Sequence, residues 1–228
     1  MIRGIMRPRL AVTLLAAWII PIMPLAAVAN PLLEPWAGPF GGVPAFDRVR
    51  VTDFEPALET AMAEQLAAID QIAASTAPPT FDNTIAASER SSRTLDRVLA
   101  VYGVAGSNLS DAAFQEVERR MAPRLAAFQD RIVQNRAFFD RVARVHESAD
   151  AAGLSPEQRR AAWLLFTNLA RAGARLGPSD QAELAAINEQ LAGLHTAFAQ
   201  NVLREEDGSA VFLDAEGDLA GLPESARR

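Results

Sequence analysis

From residue 52 onward one pattern repeats: apolar side chains stand three and four positions apart with polar ones between, the period of amphipathic helices. Leu58, Met62, Leu66, Ile69 and Ile72 make the first stripe, which Pro78-Pro79 ends. "TDFE", Thr52 to Glu55, reads as its capping box, with the Thr hydroxyl accepting from the third helical N–H. A second helix is expected from Asn83 or Thr84, carrying Ile85, Leu95, Val98, Leu99 and Tyr102 and closed by Gly103 and Gly106. After Ser110 the longest stripe runs through Phe114, Val117, Met121, Leu125, Phe128, Ile132, Phe139, Val142 and Val145. Pro123 predicts a kink or break in it, because proline removes an N–H and clashes with the preceding turn. "SPEQ", Ser155 to Gln158, caps a fourth helix reaching about Leu176, where Gly177-Pro178 stops it. A fifth runs from about Asp180 to Arg204, with Leu184, Ile187, Leu191, Leu194, Phe198 and Val202 as its expected buried edge.

The two ends read differently. After Asp207-Gly208, "AVFLD" at residues 210–214 predicts a short strand, followed by a turn at Glu216-Gly217-Asp218. The fold class is therefore all-α, an array of helix hairpins, with one or two short strands near the C-terminus. Residues 30–51, rich in proline and glycine, predict an irregular surface arm. Residues 1–29 read as an export signal: Arg3, Arg7 and Arg9 precede an uncharged apolar run to Ile20, and Ala27-Val28-Ala29 offers a cleavage pattern. An uncleaved anchor is the alternative, although the run is short for a membrane span.

Composition narrows the function classes. Removing residues 1–29 leaves 199 residues and takes away three arginines but no carboxylate, so a net charge of −6 becomes −9. An acidic chain without a basic block argues against nucleic acid as a partner. There is no cysteine, so an exported chain must rely on packing for stability. Pairs such as Glu116 with Arg120 and Asp140 with Arg144 stand four apart, which predicts that the arginines form a solvated helix face.

Candidate chemistry is sparse. His146-Glu147 spells the first two letters of the H-E-x-x-H zinc signature, and Asp150 stands where its second histidine belongs. A zinc site needs three or four ligands, and the other histidine, His195, falls on a different helix. A helix end, where an imidazole meets the dipole and Glu147 is solvated, accounts for these residues better. Only two histidines are present to serve as the base of a serine triad, and "FGGVP", Phe40 to Pro44, lies in the arm and not after a strand. No catalytic, cofactor-binding or metal residue is assigned.

The order of motifs carries more. "NPLLEPW" leads to "FDRVRVTDFEPALETAM", then "PPTFDNTI" and "SERSSRTLDRV", then "RAGARL", "INEQLAGLHTAFAQNVL" and "LAGLPES". This series resembles the N-terminal part of the thimet-oligopeptidase family of zinc metallopeptidases, particularly its peptidyl-dipeptidase branch, with oligopeptidase A next. The resemblance implies a helical domain over residues 52–228, part of a two-lobed protein whose zinc and general-base residues lie beyond "LAGLP". It also implies short unfolded peptides as substrates, zinc in the complete enzyme, and a catalytic lobe as a partner. It leaves open whether this chain is itself an enzyme. An incomplete or decayed peptidase is one expectation; a stand-alone exported helical module that binds peptides or proteins is the other. After signal cleavage the expected location is the periplasm, with no membrane partner.

Overall fold

The computed structural model describes residues 30–39, 42–209, 213 and 216–227. The expected signal, residues 1–29, lies outside the described residues. Among the described residues seven α-helices follow one another: α1 Val51–Ala74, α2 Ala86–Ser91, α3 Arg93–Asn108, α4 Ala112–Val133, α5 Arg136–Glu147, α6 Pro156–Leu169 and α7 Pro178–Gly208. Single π-helical turns at Phe81–Ile85 and Ala170–Ala174 introduce α2 and close α6. None of these helices is long and apolar enough to cross a membrane.

α1 is the hub, packed against α2, α3, α4 and α5, while α6 lies on α5. Its stripe is buried at Leu58, Met62, Ile69 and Ile72, and Phe54, Ala57 and Ala61 extend it. Around Phe54, Tyr102 and Phe114 meet it with ring centroids 5.8 and 5.2 Å away, edge-on or nearly so, the arrangement that ring quadrupoles favour. Phe138, Phe139, Val142 and Val145 of α5 close the other end of the same core.

Several boundaries differ from the sequence expectation, each for a local reason. α1 begins before Thr52: the Asp53 carboxylate accepts the Arg50 N–H at 2.8 Å, so the capping bond falls two residues earlier. The second unit likewise starts at Thr80, where Thr80 and Asn83 exchange backbone-to-side-chain bonds of 2.8 and 3.2 Å. Gly103 and Gly106 do not end α3, which continues to Asn108. Pro123 neither breaks nor ends α4. The long stripe divides twelve residues later, where Asn135 caps α5 by accepting the Phe138 N–H at 3.0 Å. An asparagine side chain able to replace a helical bond decides this break; the proline does not. Ser155 and Gln158 form the expected box at α6.

The expected strands are corrected. No strand occurs among the described residues; the one β-type pairing is an isolated bridge between Ala37 and Val43 in the arm. Residues 210–214 lie outside the described residues except Leu213, which belongs to no strand, and the chain then makes 3₁₀ turns at Glu216–Leu219 and Glu224–Ala226. A lone strand leaves its N–H and C=O groups unpaired, whereas these turns satisfy part of the backbone locally.

The described residues of the arm rest on this chain's own core. Leu32 is buried, Leu33 and Trp36 pack beside it, and the Asn30 amide donates to the Asp53 carbonyl at 2.8 Å. Gly42, at φ +107°, comes so close to Trp36 that a Cβ would meet its atoms at 2.7 Å, so only glycine fits.

Candidate functional site

The structure scatters the three residues that hinted at a metal. α5 ends at Glu147, so Asp150 lies in the following turn and loses the one-face geometry that a continued helix would give. Its carboxylate pairs with Arg159 at 3.0 Å. The His146 ring lies against Phe166, centroids 4.7 Å apart, while Glu147 is exposed. His195 sits on α7, exposed. Among the described residues no three His, Cys, Asp or Glu side chains are grouped to hold an ion. A zinc ion requires such a set, so the residues present do not fit one.

The motif residues instead form architectural knots. Arg141 of α5, nearly fully buried, donates to the carbonyls of Ser75 and Ala77 at 2.9 Å each and to Asn83 Oδ1 at 3.1 Å. Asn83 also donates to the Pro78 carbonyl at 2.9 Å. "PPTFDNT" is thus a capped turn tied to a buried cation, and burial lowers the guanidinium pKa, with Arg144 adding to the shift. The expectation of a solvated arginine face fails here. Arg141 shares the inward face of Phe138 and Val145, a spacing of three and four that marks it in the sequence. Nor does the Asp140–Arg144 pair form: Asp140 binds Arg136 at 2.9 Å, and Arg144 donates to a carbonyl. Glu116–Arg120 does form, at 3.2 Å. It joins a cluster in which Arg120 and Arg124 both reach Glu55 and Arg124 also reaches Glu59.

"RAGARL" is the bend between α6 and α7. Gly173 has φ +102°, and a Cβ there would meet Leu184 Cδ2 at 2.6 Å. Beyond it α7 lies mainly along α4, held by polar contacts. The Asn188 amide donates to Asp130 at 2.8 Å, and the Gln134 amide donates to the Gln181 carbonyl at 3.1 Å. The buried Gln200 donates to the Gln115 carbonyl and to Glu118, and accepts from Arg119 at 2.7 Å. Periodicity gave no sign of this polar seam. The apolar edge expected to be buried on α7 is exposed at Ile187, Leu191, Leu194, Phe198 and Val202.

Between α1, α2, α4 and α6 a cavity of about 310 Å³ is lined by Gln65, Ser88, Glu89, Ser92, Gln129 and Asn168 among apolar residues. Gln65 Oε1 has no partner, and the Ser88 and Ser92 hydroxyls are committed to nearby acceptors. Such a lining can hydrogen-bond a guest. It holds no imidazole, so it offers no histidine base for a serine. Tyr102, its phenol pushed up to about 12 by burial and then by Glu118, stays protonated in the aromatic core and is no general base at neutral pH.

Known proteins add what the geometry lacks. The dipeptidyl carboxypeptidase of Salmonella typhimurium is 30% identical over 193 residues, which is 85% of this chain and 28% of that protein. The Escherichia coli dipeptidyl carboxypeptidase is 29% identical over 181 residues, 79% of this chain and 27% of that protein. Oligopeptidase A of Haemophilus influenzae is 24% identical over 201 residues, 88% of this chain and 28% of that protein. This chain resembles the thimet-oligopeptidase family of zinc peptidases. No protein-family model matches it. It spans little more than a quarter of these relatives' length.

Proposed function

We propose that these residues form the N-terminal helical wall of an exported zinc peptidase, a peptidyl-dipeptidase or oligopeptidase acting on short peptides. The wall restricts a channel to unfolded peptides, and residues outside these 228 supply the zinc and the general base. The similarity to the Salmonella dipeptidyl carboxypeptidase, continuous over 85% of this chain, carries the reading. The knots at "PPTFDNT" and "RAGARL" support it too, since a buried cation and a glycine with no room for a Cβ tie the chain down where helices join. The basic leader and apolar run in residues 1–29 support export to the periplasm, and residues 30–51 and 52–228 then act as arm and wall.

The test is direct. Purified chain is expected to carry no stoichiometric zinc by elemental analysis and to release no C-terminal dipeptide from blocked peptides, with or without added zinc. Robust zinc-dependent release would overturn the proposal.

One observation favours the alternative of a stand-alone binding module: the apolar core of α1 to α6 closes on itself, from Leu32 to Ala174. That reading expects calorimetric binding of short peptides by the chain alone, where the wall reading expects none.

A further inference from the structure

The cavity between α1, α2, α4 and α6 has two ends of opposite character. Its floor is apolar: Ile69, Ile132, Phe138 and Leu169 are all buried. Its mouth is polar, where Glu89, Gln129 and Asn168 are exposed. At about 310 Å³ it reaches the lower end of the range for small-molecule pockets. Its lining runs from Gln65 to Ala172, within the helices that close the core among themselves, so this chain sets its walls. Both π-helical turns border it: Ala172 belongs to the second, and Ser88 stands three residues past the first. Turns of that kind are rare and gather at functional sites.

The polar atoms around the cavity define what a guest must bring. Ser88 donates its hydroxyl to the Ile85 carbonyl at 2.8 Å and Ser92 donates to Asp96 at 2.6 Å, so each has only lone pairs left to offer. Gln65 Oε1, in the α1 wall, is an acceptor without a donor. Among the described lining residues Glu89 alone is charged, and it forms no ion pair. An anion would meet that carboxylate with no cation in the lining to offset it. A neutral alcohol would leave the charge unanswered. An ammonium supplies three donors and the opposite charge, and needs no donor in return. An apolar stem behind it suits the floor.

We propose that this cavity binds a primary ammonium carried on an apolar stem, the head at Glu89 and the stem on the floor. A free alkylamine and the lysine side chain of a peptide both carry that chemistry. The inference does not depend on the peptidase reading.

Titration calorimetry and two-dimensional amide NMR on the purified chain at about pH 7, where an alkylamine is charged, test it. Hexylammonium is expected to bind with Kd of about 0.1–1 mM, ordinary for roughly seven heavy atoms, and to move the amide signals of the lining residues first. Hexanol should bind about fivefold more weakly, and hexanoate not at all. Glu89→Gln should lower the affinity about fivefold with an unchanged melting temperature, because Glu89 is exposed and unpaired. Nα-acetyl-lysine N-methylamide separates the two sources. Affinity equal to that of hexylammonium or better assigns a lysine side chain, and weaker binding assigns a free amine. No saturable binding up to about 10 mM hexylammonium, hexanol binding as tightly, Glu89→Gln without effect, or signals moving away from the cavity would each overturn the proposal.

Discussion

α1 and α7 are written in the same pattern and end in opposite circumstances. Each is a long helix with a stripe at three- and four-residue steps. The stripe of α1 is enclosed by four other helices, whereas α7 leaves its stripe open and turns amides toward carboxylates and carbonyls of α4. Spacing therefore reports that a helix has an apolar face, and says nothing of whether that face has a partner within the chain. Helix α7 is held by a few hydrogen bonds, each worth about 1 kcal/mol. Helix α1 is held by buried apolar area, at about 25 cal/mol per Å².

The largest expected effect separates the two stripes directly. Phe114→Ala, on the α4 face that closes over α1, should cost about 3–5 kcal/mol in urea unfolding. Phe198→Ala should change stability by no more than about 0.5 kcal/mol in dilute solution. Equal costs would show that α7's edge is buried after all.

Arg141→Met is next. It removes the buried donors of four acceptors and should cost about 2–4 kcal/mol, with hydrogen exchange quickening first at residues 75–84. A smaller loss spread evenly over the helices would show that the cation is not what holds that turn.

Gln200→Ala should cost about 1–2 kcal/mol and accelerate exchange in α7 while leaving α1 protected. Equal acceleration in both helices would make α7 part of one cooperative unit with the core.

The smallest effect is electrostatic. The Arg120 hydrogen bond, aided by the Arg120 and Arg124 charges, holds the Glu55 carboxyl below its usual 4.5 despite some desolvation. A depressed carboxyl pKa adds stability that is full above the usual value and is lost as pH falls through the lower folded one. Melting of the wild type should therefore exceed that of Glu55→Gln by a degree or two at about pH 7, and the curves should converge by about pH 2.

Much of the fold was legible because helices announce themselves locally. The stripes of α1, α4 and α5 and the Ser155 box lie where periodicity and capping chemistry put them. Boundaries were less legible. A proline at Pro123 outweighs an asparagine on propensity grounds, yet Asn135 supplies the bond that starts a new helix. The strand near residue 210 rested on composition alone, with no neighbouring strand to pair it. The zinc hint was already set aside in the sequence on ligand count, and the helix ends at Glu147, which leaves Asp150 off it. Arg141 and Gln200 act over sequence distances of roughly 60 and 80 residues, beyond the reach of any short pattern.

The bend at Gly173 has a mechanical meaning. It joins α7 to the rest of the chain at one end, and at 1.5 Å per residue 31 residues make a rod of about 46 Å. A swing of about 10° at that joint carries the far tip through about 8 Å. A single left-handed residue thus aims the longest lever in the molecule, and the bonds along α4 keep it from wandering.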